Sequence, residues 1–381
     1  MLRSPQPRFP QPPSGGYQQQ QQPPSLHQQM PPMQQQQQQQ PQRPMSNQLP
    51  QESVQQPQEH QDVVHDTQFD YYGQLLATAS SDRTIGIHQV RNGQLQRIST
   101  LTGHEGPVWM VSWAHPRFGL ALASAGYDHR AIIWKETPQG SQQWRPVHVI
   151  DCHHGSVNAV QWAPESPMVA TASSDGTVAV TVYQGGVWRE SVKLSNNSNN
   201  IAHAMGATSV SFAPLWPPQG DIVLLASGGC DSQVRLWCSC GGDPAAQTFE
   251  LLELLDGHTD WVRDVAFAPL CAATRHAVVA SCGQDKSVII HRKPWEQVGS
   301  AIQERRQGGS ANGQQQLKES CSTWERSVVL FDEPVWRLSW SPTGEMLVVT
   351  TGNSEVYILR EDAEFTQPWL KTPLSEYQKE K

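Results

Sequence analysis

The chain has 381 residues and a net charge of −8, of which the first 60 residues contribute +1. The remaining residues therefore carry −9, which argues against nucleic acid or an anionic membrane surface as the primary ligand. No apolar run reaches the roughly 18 residues that a membrane-spanning helix needs. The seven cysteines, an odd number at irregular spacing, indicate reduced thiols in the cytosol or the nucleus.

The N-terminal segment differs in composition from the rest of the chain. Residues 1–60 contain 22 Gln and 13 Pro, including an unbroken run of glutamines from Gln34 to Gln40. Such a segment cannot bury enough apolar surface to offset the entropy that ordering would cost. It also lacks the apolar stretch of a secretory signal. We predict a disordered tail over residues 1–58, a folded domain over 59–375 and a short tail over 376–381.

A repeat begins at the end of this tail and runs through the whole domain. Its copies, among them GHEGPVWMVSWAHP and GHTDWVRDVAFAPL, start at Glu59, Gly103, Cys152, Ala202, Gly257 and Phe331. In the first five copies a short strand and a polar turn lead to an aspartate, at intervals of 46 to 56 residues: Asp82, Asp128, Asp175, Asp231 and Asp285. A period slightly above 40 residues with four strands per copy is typical of WD-repeat blades. The sequence predicts an all-β, six-bladed WD-repeat β-propeller.

Four polar positions recur within the blades. A His, a Ser or Thr, an Asp and a Trp can form one chain of hydrogen bonds that fixes the loop between blades onto a turn within a blade. The sets are His60, Thr78, Asp82 and His88 in blade one; His104, Ser124, Asp128 and Trp134 in blade two; His203, Ser227, Asp231 and Trp237 in blade four; and His258, Ser281, Asp285 and His291 in blade five. Since a catalytic site occurs once and this set repeats, we predict that it is structural.

The last two blades depart from the template. Residues 296–323 form a polar, Gly-rich insertion in blade five, which we predict to be a flexible loop. Blade six has Phe331, Val349, Asn353 and Leu359 at the four polar positions, and PWLKTPL (368–374) is its predicted outer strand. Upstream of Asp62 no strand is available for lending to blade six. The periodicity therefore allows either six abutting blades or an open ring with a gap.

Several stretches of the domain resemble the Sec-thirteen family of WD-repeat proteins. They are HDTQFDYYGQLLATASSDRTIGIHQVRNG (65–93), LTGHEGPVWMVSWAHPRFGLALASAGYDHRAIIWKE (101–136), SGGCDSQVRLW (227–237) and HTDWVRDVAFAP (258–269), within a match over about residues 59–360. The family provides the small propeller of the COPII outer coat and of the Y-shaped scaffold of the nuclear pore. The resemblance implies an open six-bladed ring. A helical-solenoid coat protein of Sec-thirty-one type, or a solenoid nucleoporin, would insert three strands into it as a seventh blade.

The resemblance also implies where such a partner binds. The predicted gap lining is Val63, Val64, Phe69, Leu76, Ile85 and Ile87 from blade one and Val335, Leu338, Trp340, Leu347, Val349, Val356 and Ile358 from blade six. The protein would then be a non-enzymatic scaffold in a hetero-oligomer, peripheral to the membrane through the coat. Its expected locations are the cytoplasmic face of the endoplasmic reticulum, COPII vesicles and the nuclear pore.

The same fold is compatible with other functions. A Seh-one-type nucleoporin shares the HD..FD..G element but is not expected to contain GGCD or the DWVRDVA segment, and an adaptor in a TOR-regulating complex would use the same gap. An enzyme would need a convergent acid, base or nucleophile outside the repeat, and the sequence offers none. Cys238-Ser239-Cys240 and His153-His154 lack companions at zinc-ligand spacing. We therefore expect no metal and no cofactor.

Overall fold

The computed structural model describes residues 60–195, 200–214, 222–240, 248–270, 275–306, 324–361 and 369–377. The predicted tail over 1–58 and most of the predicted insertion, residues 307–323, lie outside the described residues. Residues 378–381 of the predicted C-terminal tail lie outside them as well. Within the described part of the chain, no helix is long and apolar enough to cross a membrane.

The first half of the domain forms three antiparallel sheets. Blade one consists of β1 (Val64–Phe69), β2 (Leu75–Ser80), β3 (Thr84–Arg91) and β4 (Gln94–Thr102). Blade two consists of β5 (Val108–Trp113), β6 (Ala121–Gly126), β7 (Ala131–Glu136) and β8 (Trp144–Ile150), with a short 3-10 helix at Pro116–Phe118. Blade three consists of β9 (Val157–Trp162), β10 (Met168–Ser173) and β11 (Val178–Gln184), and its outer position is divided between β12 (Val187–Trp188) and β13 (Val192–Lys193).

The second half repeats this arrangement. Blade four consists of β14 (Ala207–Phe212), β15 (Leu224–Gly229), β16 (Val234–Cys240) and β17 (Thr248–Leu255). Blade five consists of β18 (Val262–Phe267), β19 (His276–Gly283), β20 (Ser287–Pro294) and β21 (Glu325–Leu330). Blade six consists of β22 (Val335–Trp340), β23 (Met346–Thr351), β24 (Val356–Glu361) and β25 (Trp369–Pro373). The predicted six-bladed propeller is confirmed, and β25 coincides with the predicted outer strand.

The blades pack face to face because successive side chains of a strand point to opposite faces of its sheet. On one face of blade one, Ile85 and Ile87 contact a cluster that includes Trp113, Leu122 and Trp134 of blade two. Equivalent clusters join blade two to three, three to four, four to five and five to six. Full burial of each large apolar side chain contributes about 1.5–3 kcal/mol. The core is therefore a series of layers between neighbouring blades.

Each of the six first strands contains a β-bulge near its beginning. The register shifts past one extra residue, which is His65, Trp109, Asn158, Thr208, Arg263 and Trp336 in blades one to six. A bulge leaves its extra residue out of the ladder and redirects its side chain. In blades two and three these side chains contact the next blade: the Trp109 indole N–H donates to Ser156 (2.8 Å), and the Asn158 amide donates to the Ala207 carbonyl (2.9 Å).

The prediction of a flexible loop at 296–323 is wrong for its first part. Residues Trp295–Arg306 form helix α1, which packs against strands of both blade four and blade five. Its Trp295, Val298 and Ile302 are at most 5% exposed. Their spacing of three and four residues places them on one face of the helix. This pattern is hard to recognise in the sequence because polar residues and glycine outnumber the three buried side chains.

Candidate functional site: the uncovered faces of blades one and six

The polar chain predicted for blade two is present. The Trp134 indole N–H donates to Ser124 Oγ (2.8 Å), Ser124 Oγ lies 2.7 Å from His104 Nε2, and His104 Nδ1 lies 2.9 Å from Asp128. A neutral histidine that donates from Nδ1 and accepts at Nε2 satisfies every member. Blade four repeats the arrangement at 2.8 Å for each of its three contacts, with Trp237, Ser227, His203 and Asp231 in the same order. These two sets connect a loop, a strand and a turn.

Blade five contains the same polar chain of hydrogen bonds, except that no tryptophan indole takes part in it. His258 lies 2.9 Å from both Asp285 and Ser281. Burial would raise the pKa of Asp285, but hydrogen bonds from His258 and Ser287 hold that pKa at about 2. The Asp285 carboxylate is therefore ionised, and it accepts hydrogen bonds from residues of its own blade, as a structural role requires. At the position of the tryptophan, His291 Nε2 instead lies 3.2 Å from the Asp256 carbonyl.

In blade one the polar chain lies on a face that no described blade covers. His60 lies 2.8 Å from Asp82 and 2.7 Å from Thr78. Thr78 is directly opposite Thr67 and Gly86, on the face turned away from Ile85 and blade two. In blade two the same face, with Ser124 and Trp134, packs against blade one.

The exposure of equivalent residues locates the discontinuity in the ring. Val64 opens the first strand of blade one and is 43% exposed; its counterparts in the other blades, Val108, Val157, Ala207, Val262 and Val335, are all 0% exposed. The aromatic residue near the end of the same strand behaves likewise: Phe69 is 55% exposed, whereas Trp113, Trp162, Phe212 and Phe267 are at most 9% exposed. First strands pack in sequence from β1 to β22, and among the described strands β22 and β1 form no comparable contact. Blade one is therefore uncovered on one side.

Seven of the thirteen predicted gap residues lie elsewhere. Ile85 and Ile87 are fully buried against blade two. Five residues of blade six pack against blade five: Val335, Leu338, Trp340, Leu347 and Val349. In each case the residue is apolar and in the correct blade but on the other face of its strand. Composition alone could not resolve this, because both faces of a propeller blade are apolar.

The remaining six predicted residues lie on the outward sides, meaning the faces of blades one and six that pack against no described blade. In blade one these are Val63, which is 61% exposed, and Val64, Phe69 and Leu76. In blade six Val356 and Ile358 lie on the face opposite the cluster with blade five. This face is partly covered by a short helix, α2 (Leu374–Tyr377), which contacts β24 and β25. The Tyr377 hydroxyl lies 3.7 Å from the sulfur of Met346 on the same face.

A row of hydrogen-bonding side chains, not predicted from the sequence, joins the first strands of blades one to five, each to the next. A Gln or Ser just before the strand's aromatic residue accepts the backbone N–H of the aromatic residue in the following blade. The pairs are Gln68 with Trp113 (2.7 Å), Ser112 with Trp162 (3.0 Å), Gln161 with Phe212 (2.5 Å) and Ser211 with Phe267 (3.0 Å). The signal was present in the sequence as the recurring dipeptides QF, SW, QW and SF.

A second set of hydrogen bonds between first strands carries charge near the contact of blades five and six. Burial raises the pKa of the Asp264 carboxyl, and the nearby Arg337 partly opposes that rise. Asp264 accepts the backbone N–H of Leu338 (2.9 Å) and a hydroxyl hydrogen bond from Ser209 (2.6 Å). Asp264 therefore links blades four, five and six.

The described residues contain no group of three or more His, Cys, Asp or Glu side chains placed to hold a metal ion. His153 instead contacts Thr177 and Thr171, each at 2.7 Å, as part of the polar chain of blade three. The neighbouring His154 backbone N–H donates to Asp175 (2.6 Å). The His153-His154 pair therefore belongs to the blade turn.

Comparison with known proteins agrees with this architecture. Five segments match the family model "WD domain, G-beta repeat": residues 51–89, 95–135, 144–180, 195–238 and 249–292. The chain is 36% identical over 321 residues to "Protein transport protein sec13" of Emericella nidulans, a match that covers 80% of this chain and 92% of the relative. It is also 36% identical over 322 residues to "Protein SEC13 homolog" of Drosophila melanogaster, with 80% of each chain covered. The chain belongs to the Sec-thirteen family of WD-repeat proteins.

Proposed function

We propose that the protein is a non-enzymatic scaffold subunit of the COPII vesicle coat and of the Y-shaped complex of the nuclear pore, completed by partner strands inserted as a seventh blade. The observation that carries the proposal is the uncovered face of blade one, where Val64 and Phe69 are exposed although their counterparts in blades two to five are buried. The relatives named as protein transport proteins support the transport role.

The physical argument concerns what an uncovered blade face requires. Exposed apolar residues on the side of a sheet favour aggregation unless something covers them. A strand-donating partner can bury Val64, Phe69 and the outward side of blade six together. Because such a partner binds only the folded ring, it stabilises the ring by about 2.7 kcal/mol at a hundred times its dissociation constant.

The partners proposed are a helical-solenoid coat protein of Sec-thirty-one type and a solenoid nucleoporin. The corresponding locations are the cytoplasmic face of the endoplasmic reticulum, COPII vesicles and the nuclear pore. A scaffold role without catalysis is supported by the repetition of the polar chain, since the same residues recur in blade after blade in structural contacts.

The test is reconstitution of the full chain with the strand-donating segment of the coat protein and, separately, of the nucleoporin. We expect a one-to-one complex by light scattering and a higher melting temperature for the complex. Affinity capture followed by mass spectrometry then identifies which solenoid dominates in cells, and components of a TOR-regulating complex would instead favour the adaptor role. A chain that is monodisperse, very heat-stable and indifferent to both segments would contradict the proposal.

A further inference from the structure

The hydrogen bonds between first strands leave one unused group in each terminal blade, blade six and blade one, and the row itself is interrupted between blades five and six, where Ala266 precedes Phe267. In blade six Ser339 precedes Trp340, as Ser112 precedes Trp113 and Ser211 precedes Phe212. Ser112 and Ser211 are each 3% exposed and accept an N–H from the next blade. Ser339 is exposed, and no described residue forms a hydrogen bond with its hydroxyl. It is an acceptor with no donor.

Blade one has an unused donor, the backbone N–H of Phe69. The Asp70 N–H bonds to the Leu75 carbonyl, so the preceding residue, Phe69, directs its N–H away from β2. The equivalent N–H groups of Trp113, Trp162 and Phe212 each bond to a Gln or Ser of the preceding blade. No blade precedes blade one among the described residues. Its Phe69 N–H is therefore left without the acceptor that those three counterparts have.

Side chains at the bulge positions also form hydrogen bonds with the next blade. Asn158 donates to the Ala207 carbonyl of the next blade (2.9 Å), and Thr208 donates to the Val262 carbonyl (2.7 Å). The register places Val64 of blade one at the position of those two acceptors. At the other end of the row, Trp336 is the bulge residue of blade six and is 47% exposed.

From these unused groups, and on the basis of the proposed function, we infer the sequence pattern of the partner's innermost strand. It carries a hydrogen-bond donor at the bulge position, a Gln or Ser three residues later and an aromatic residue directly after that. The donor bonds to the Val64 carbonyl, and the Gln or Ser accepts the Phe69 N–H. In return, Ser339 Oγ accepts the N–H of the partner's aromatic residue. The strands NAVQW (158–162) and TSVSF (208–212) of this chain have this pattern.

The apolar face of blade six fits a strand of this kind. By register, Val348, Thr350, Val356 and Ile358 occupy the positions that Ala77, Ala79, Ile85 and Ile87 occupy in blade one. That face of blade one packs against Trp113, Leu122, Ile132 and Trp134 of blade two. A blade that resembles blade two is therefore the expected neighbour of blade six. Blade two itself has an indole donor at its bulge, Ser112 and Trp113.

The experiment supplies such a blade without any partner. A second copy of residues 103–150 is joined to the C-terminus of the full chain by a Gly/Ser linker, and a chain with the linker alone is the control. We expect a higher melting temperature and a roughly tenfold slower hydrogen exchange of the Phe69 amide, the effect of about one net hydrogen bond. Ser112→Val in the added copy should restore fast exchange at Phe69, and Ser339→Ala should remove part of the gain in melting temperature. Ser339→Gln should keep that gain, because Gln occupies this position in blades one and three.

The outcomes separate this inference from the proposed function. If the added blade protects Phe69 equally with and without the Gln or Ser, the pattern is wrong. If the solenoid segment binds and protects Val64, yet Ser339→Ala leaves its affinity unchanged and Phe69 stays unprotected, the pattern is wrong and the scaffold role stands. If the added blade behaves as expected and no solenoid segment binds, the pattern stands and the proposed partner is wrong.

Discussion

Val64 and Val108 occupy the same position in the first strands of blades one and two, but Val64 is 43% exposed and Val108 is completely buried. The two residues have identical side chains and the same register. Only the presence of blade one beside Val108, and the absence of an equivalent described blade beside Val64, separates them. The pair therefore offers a matched test of the uncovered face.

Val64→Asp should abolish binding of a strand-donating partner while leaving the isolated ring folded. A charge at an exposed position stays hydrated, whereas a buried charge without a partner is strongly unfavourable. Val108→Asp should therefore cost several times more free energy of unfolding. Urea denaturation of both variants and partner titration of Val64→Asp measure the two effects.

Ile87 was predicted to line the gap, but it is not a suitable site for such a charge. It is fully buried between blades one and two, so Ile87→Asp should resemble Val108→Asp in stability. Equal destabilisation by Val64→Asp and Val108→Asp would mean that another segment covers Val64. It would count against the open ring.

His258→Ala should lower stability without affecting partner binding. The substitution leaves Asp285 and Ser281 without their common partner, at an expected cost of about 1–3 kcal/mol. Chemical denaturation gives the change, and titration with the strand-donating segment is the control. Loss of binding at unchanged stability would contradict the structural role of this histidine.

His291 makes the stability of blade five depend on pH. Burial lowers its pKa from 6.5 to about 4, although the hydrogen bond to the Asp256 carbonyl acts in the opposite direction. His291 binds a proton below about pH 6.5 in the unfolded chain but only below about pH 4 in the folded chain. Its contribution to the free energy of unfolding is therefore complete above pH 6.5 and is lost as the pH falls to 4. The loss amounts to about 3 kcal/mol.

His291→Trp should remove this part of the pH dependence. Tryptophan does not titrate, and Trp134 and Trp237 occupy the same position in blades two and four. The unfolding free energy of both proteins is measured from pH 7 to pH 4, so that the acidic groups common to both cancel. Parallel curves would show that His291 has the same pKa in the folded and the unfolded protein, which would contradict the lowered pKa.

Helix α1 should contribute to stability through its buried face. Val298 is 1% exposed, so Val298→Asp places a charge between blades four and five and should cost at least about 2 kcal/mol. The exposed Gln303 of the same helix is the control, because Gln303→Asp makes the same residue without burying it. Equal stability of the two variants would mean that the helix does not pack in solution.

Removal of residues 1–58 should change neither the melting temperature nor partner binding. The prediction follows from the Gln/Pro composition of the segment, which offers no strand. Differential scanning calorimetry and a binding titration compare the truncated and full chains. A drop in either quantity would mean that the tail supplies a structural element.

The sequence by itself determined the repeat, the six blades and the polar chains. Those features depend on local order: His258, Ser281 and Asp285 recur at nearly the same spacing as His104, Ser124 and Asp128, and the strands between them alternate with turns. Spacing within one blade fixes such contacts, because the residues involved are joined by a short stretch of chain. This part could be predicted without knowing how the blades meet.

The tertiary structure alone decided which apolar residues face the gap. Ile87 and Leu76 are both apolar and belong to neighbouring strands of blade one, yet Ile87 packs on blade two while Leu76 lies on the outward face. A shift of one residue reverses the face of a strand, and a propeller blade has apolar residues on both faces. Helix α1 was hidden for a related reason: its three buried side chains are too few to mark a helix until blades four and five are in place to cover them.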